Sequence, residues 1–86
     1  MNPQQATEFV GVDVASAHLD VAVQGQASVR RFANTPQGIA LLLRTLRPAS
    51  VLALESTGRY HVPLALAAHA AGLHVYVLNP LDARRY

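Results

Sequence analysis

Two carboxylates set in apolar strands are the residues of this sequence best suited to chemistry. Asp13 interrupts the valines of EFVGVDV, and Glu55 follows the leucines and alanine of VLALES. Both are expected at the carboxyl ends of two adjacent parallel strands, where the crevice of an open α/β sheet takes its ligands. Two carboxylates brought close together repel each other unless a cation neutralises them. A hard divalent ion such as magnesium does this with oxygen donors, often sharing the phosphate oxygens of a substrate. Without chemistry, Asp13 only starts a turn and Glu55 only caps the helix after it, through Ser56-Thr57-Gly58. Pattern alone leaves both readings open.

The residues after Glu55 extend the candidate site. Ser56, Thr57 and Gly58 are expected to open the second helix, so that backbone N–H groups and the helix dipole face a phosphate, although an ordinary cap explains them equally well. Arg59 could contact a backbone phosphate and Tyr60 could stack on a base. Thr57, Gly58, Arg59 and Tyr60 are therefore the candidate nucleic-acid-binding residues. Arg30, Arg31, Arg84 and Arg85 are supporting members of a basic track, with simple solvation as the alternative. His18, His61, His69 and His74 show no zinc-site spacing, and Asp82 reads as a solvated residue of the terminal connector.

The elements that must position the acids follow from periodicity. Residues 8–14 alternate with Val10, Val12 and Val14 on one face and Phe9, Gly11 and Asp13 on the other, which predicts a first strand. LDVAVQ, after the small turn 15–17, predicts a second strand paired back as a hairpin. SVRRFAN predicts a third at a sheet edge, since Arg30 and Arg31 face opposite ways and cannot both be buried. Thr35-Pro36 reads as a helix cap and first turn, followed by Ile39, Leu42, Leu43 and Leu46 to an end near Arg47. VLALES predicts a parallel strand buried on both faces. A second helix is expected from about Tyr60 to Ala71, with Leu64, Ala67, Ala68 and Ala71 on one stripe and a stop at Gly72. HVYVLN then predicts a fifth strand. With right-handed crossovers, the fold expected is α/β: a mixed five-stranded sheet in the order 3-2-1-4-5 with two helices.

Bulk composition agrees with one small domain. The 86 residues are 51% hydrophobic and 14% charged, apolar enough to form a core and to argue against disorder. All seven basic residues are arginines against five acids, and a net charge of +2 permits nucleic acid without demanding it. The absence of cysteine excludes disulfides and thiolate metal sites. With no signal-peptide pattern at 1–8 and no membrane-length apolar run, the expected setting is the cytoplasm, with no membrane partner.

Taken in order, VGVDVASAHLDVAV, FANTPQGIALLLRTLRP and VLALESTGRYHVPLALAAHAAGLHVYVLNP resemble the DEDD transposases of insertion-sequence 110 type from Phe9 onward. GVDV, NTP-x-G, ESTGRY and the terminal VLNP carry the likeness; together they are specific, singly weak. The resemblance implies a ribonuclease H-like, RuvC-like domain acting on DNA in transposition, with Mg2+, or Mn2+ in its place, as cofactor. Asp13 and Glu55 match the first two acids of the family's metal-binding tetrad. The later pair, and the serine of a separate C-terminal domain, fall beyond residue 86, so residues 1–86 read as the N-terminal, incomplete part of the catalytic domain. Alone it is expected to be inactive. A structured guide RNA and a homo-oligomer are the other partners implied.

Two other functions fit the same residues. A non-catalytic nucleic-acid-binding or oligomerisation module would use an open sheet edge and uncovered apolar surface. A sugar-kinase or actin-like ATPase lobe would also begin with an Asp-bearing strand, but the glycine and threonine phosphate turn of such lobes is missing from GVDVASAHLDVAV.

Overall fold

The computed structural model of the chain describes residues 7–78. Five strands and two helices alternate as expected: β1 (Phe9–Val14), β2 (His18–Val23), β3 (Arg30–Ala33), α1 (Pro36–Arg44), β4 (Val51–Glu55), α2 (Val62–Ala70) and β5 (His74–Leu78). The sheet order is β3-β2-β1-β4-β5. β1 runs antiparallel to β2 and parallel to β4, while β3 and β5 close the two edges. Asn79, Asp82, Arg84, Arg85 and Tyr86 lie outside the described residues. Among the described residues, no helix is long and apolar enough to cross a membrane.

The alternation read in β1 and β2 sets the layers. Val10, Val12, Val14, Leu19 and Val21 turn to one face, where they meet Leu52 and Leu54 of β4, Ile39 and Leu42 of α1, and Leu64 and Ala68 of α2. Both helices therefore cover the same side of the sheet. β4 corrects the expectation of a strand buried on both faces: Leu52 and Leu54 are fully buried, Val51 and Ala53 only half-buried, and Glu55 exposed. Among the described residues nothing covers the second face. A compact apolar run is compatible with either arrangement, and here half of it faces outward.

The NTP-x-G segment has a steric reason. The Thr35 hydroxyl oxygen accepts from the Gly38 N–H at 3.0 Å, capping α1, and Pro36 follows at the first helical position. α1 passes so close to β3 that a Cβ on Gly38 would lie 1.9 Å from the Ala33 carbonyl oxygen, so only glycine allows the approach. The helix stops at Arg44 rather than near Arg47; the Thr45 N–H and hydroxyl both donate to the Leu42 carbonyl, while Leu46 still packs against the core. α2 begins at Val62, not near Tyr60, and Gly72 at φ +85° ends it. Its inner stripe is Leu64, Ala67 and Ala68, with Ala71 exposed beyond the helix.

A polar anchor starts β4. The Glu8 carboxylate oxygen Oε1 accepts from the Arg47 N–H at 2.9 Å and from the fully buried Ser50 hydroxyl at 2.8 Å, and the Glu8 carbonyl accepts from the Val51 N–H at 2.9 Å. Each buried polar group of Ser50 is satisfied, and β4 is thereby held in register beside β1.

Candidate functional site

Register brings the two predicted acids together. Asp13 on β1 pairs directly with Glu55 on β4, at the carboxyl ends of parallel neighbours about 5 Å apart. Both are exposed and lie on the face that no helix covers. The same row continues across the hairpin, where Asp13 pairs with Asp20 of β2 and Asp20 with Arg31 of β3. One level down lie Ala22, Gly11 and Ala53, also paired in register. Because that second row has no bulky side chain, it forms the floor of a shallow cleft lined by Asp13, Asp20 and Glu55, with Val29 and Leu78 at its sides. The backbone of an extended ligand could approach the acids there.

Asp20, on β2, is a site residue that the sequence pattern does not single out. The signal was present: a turn centred between Ser16 and Ala17 puts residue 20 opposite residue 13. Its carboxylate forms a forked ion pair with Arg31, whose Nε and Nη2 donate to Oδ1 and Oδ2 at 2.8 and 3.2 Å. Hydrogen bonding from Arg31 holds the Asp20 carboxyl below the usual carboxylate range, against partial desolvation and with further help from the charges of Arg31 and His18. The same hydrogen bonds, aided by the Asp20 charge, raise Arg31 above its ordinary value.

The donor set bears directly on a metal. Asp13 and Glu55 supply hard oxygens at adjacent, water-accessible positions, which suits a cation that keeps several waters. Asp20 is committed to Arg31, and no cluster of three or more potential His, Cys, Asp or Glu ligands occurs among the described residues. Among the described residues, Asp13 and Glu55 are thus the two carboxylates available as ligands here.

The loop after Glu55 differs from expectation. Ser56 to His61 form a turn ahead of α2, so Ser56, Thr57 and Gly58 do not open that helix and its N-terminal dipole does not act through them. The helix begins two residues later than the pattern predicts because Pro63 fits the first turn in either register. Ser56 is buried, and its hydroxyl makes only long contacts of 3.4 Å with the Gly58 N–H and carbonyl. Thr57, Gly58, Arg59 and Tyr60 are all exposed, beyond the strand end that carries Glu55.

Asn34 ties this loop to the other acid. Its Nδ2 donates to the Ala15 carbonyl at 2.9 Å and to the Tyr60 carbonyl at 3.0 Å, and its backbone N–H donates to the Ala17 carbonyl at 2.9 Å. One half-buried side chain thus joins the turn leaving Asp13 to the loop leaving Glu55. NTP-x-G is thus more than the start of a helix: its first residue is a clamp between the segments that follow the two acid-bearing strands.

A family model described as Transposase, of the DEDD type of insertion sequence 110, matches residues 10–86. Among solved structures, T. thermophilus RuvC in complex with Holliday junction substrate aligns with a TM-score of 0.62 and 16% identity, over 93% of this chain and 69% of that chain. At that identity the likeness is one of fold, and the sheet order and helix placement are those of a RuvC-like, ribonuclease H-like domain. No curated protein matches.

Proposed function

Because the chain belongs to the DEDD transposases of the insertion-sequence 110 type, we propose that it is the part of a DNA transposase catalytic domain, residues 1–86, that supplies the first two metal-binding carboxylates, Asp13 and Glu55. The observation that carries this reading is their direct pairing across β1 and β4 on an open sheet face. In this role Asp13 and Glu55 hold Mg2+, or Mn2+, through their carboxylate oxygens. The bound cation supplies Lewis-acid stabilisation of charge on phosphate oxygens and activates the attacking oxygen. The small floor of Gly11, Ala22 and Ala53 lets a DNA backbone lie against the acids, while Arg59 contacts phosphate and Tyr60 stacks on a base from the adjoining loop, with Thr57 and Gly58 offering backbone groups. A two-cation cleavage and strand-transfer scheme needs about four carboxylates at one site, so Asp13 and Glu55 alone do not complete it. The family likeness supports a structured guide RNA and a homo-oligomer as further partners, and a cytoplasmic setting.

The test is made in the intact transposase. Asp13→Asn and Glu55→Gln should each reduce magnesium-dependent DNA cleavage by about 100-fold or more, beyond the loss typical of groups that merely support a metal ligand. Retained cleavage in either variant overturns the assignment. A second reading, a non-catalytic assembly module, is favoured by the exposed Phe9, Tyr76, Val77 and Leu78; it predicts DNA binding and self-association indifferent to both substitutions.

A further inference from the structure

The row that carries the acids also carries a cation of the protein's own. Arg31, Asp20, Asp13 and Glu55 occupy paired positions on four successive strands, so their side chains share the uncovered face. We propose that Arg31, oriented by Asp20, is a second anchor for the nucleic-acid backbone, receiving a phosphate close along the strand to the one that meets Asp13 and Glu55. This inference rests on the nucleic-acid role proposed above and adds a residue and a spacing to it.

The geometry supports a binding role over a stabilising one. The Arg31 side chain is 64% exposed and that of Asp20 is 34% exposed, and pairs so open to water contribute little to folding. A guanidinium has five N–H donors, and Arg31 uses its Nε and Nη2 groups on Asp20. With the exposed guanidinium held by that fork and no other bond made by it among the described residues, less freedom is lost when its remaining donors grip a phosphate. Two strand spacings separate Arg31 from Asp13, about 10 Å, close enough for one backbone to reach both with phosphates that are near neighbours along the strand.

The neighbouring arginine is a built-in control. Arg30 turns to the opposite side of β3, where its guanidinium lies 5.1 Å from the centre of the Phe32 ring. It carries the same charge on the same edge strand but cannot reach a backbone laid across the acid row.

The experiment measures binding of a fluorescein-labelled single-stranded DNA to the 86-residue chain at fixed Mg2+ and increasing KCl, for the wild type, Arg31→Gln and Arg30→Gln. Glutamine keeps much of the stem and an amide donor towards Asp20; an unchanged amide NMR spectrum away from β2 and β3 verifies the fold. One lost phosphate contact lowers the slope of log Kobs against log[KCl] by up to about 0.7, the fixed Mg2+ taking part of the counterion release. Arg31→Gln should show that loss with weaker binding at low salt, and Arg30→Gln should keep the wild-type slope. Wild-type binding with an equal slope in Arg31→Gln, or an equal loss in both variants, overturns the role of Arg31 and leaves that of Asp13 and Glu55 standing. Absence of any wild-type binding overturns the nucleic-acid role of this chain and Arg31 with it.

Discussion

Replacing Asn34 with alanine removes both side-chain donations, to the Ala15 carbonyl at 2.9 Å and the Tyr60 carbonyl at 3.0 Å, while leaving the backbone contact to Ala17. Each such hydrogen bond contributes about 0.5–1.5 kcal/mol net, so the pair amounts to about 1–3 kcal/mol. Both lie near solvent, and water can take up the freed carbonyls, which puts the expected loss at about 1–2 kcal/mol. For a domain of this size that lowers Tm by about 5–15 °C in calorimetry. Asn34→Asp is nearly isosteric but replaces the donor with a carboxylate facing two carbonyl oxygens, so it should cost at least as much as alanine. Amide hydrogen exchange should quicken in residues 15–17 and 56–61 together, because one side chain holds both. A Tm within about 2 °C of wild type, or faster exchange in only one of the two segments, would refute the clamp.

Other expectations follow from equally local contacts. Gly38→Ala drives a methyl into the Ala33 carbonyl and should cost about 1–3 kcal/mol or more, read by denaturant titration, whereas a helix-propensity argument predicts a gain. Ser50→Ala breaks a bond to the Glu8 carboxylate under a fully buried site and should cost about 1.5–3 kcal/mol by the same titration. Asp20, followed by carboxyl-carbon NMR, should titrate below the ordinary aspartate range and move back up in Arg31→Gln. Since its folded-state value is the lowered one, its contribution is present above the unfolded value and is lost as pH falls through the folded value.

Strand alternation made most of the fold legible before any coordinates. Val10, Val12 and Val14 against Phe9, Gly11 and Asp13 fix which face is buried, and the two crossovers fix β1 beside β4; hence Asp13 beside Glu55. What stayed hidden depends on distances along the chain that no local pattern records. Asn34 finds its acceptors 19 and 26 residues away, and Glu8 finds Ser50 42 residues away. The one-sided burial of β4 was illegible for a different reason: Val51 and Ala53 are as apolar as a covered strand needs, whether or not a layer covers them. The start of α2 was misplaced because Tyr60 and His61 carry no strong stop signal, and Pro63 is compatible with either register of the first turn. The pairing of Asp20 with Asp13 and with Arg31 is readable in principle, by counting outward from the hairpin turns, but alternation alone names the strand and not its register.

The central claim is that Asp13 and Glu55 form a cation site on the open face, and amide NMR during Mg2+ titration, followed by Mn2+ broadening, tests it most directly. The account predicts changes centred on Val12 to Val14 and Leu54 to Ser56, lost in both Asp13→Asn and Glu55→Gln. Changes centred elsewhere, changes that survive either substitution, or no localised broadening by Mn2+ would contradict it.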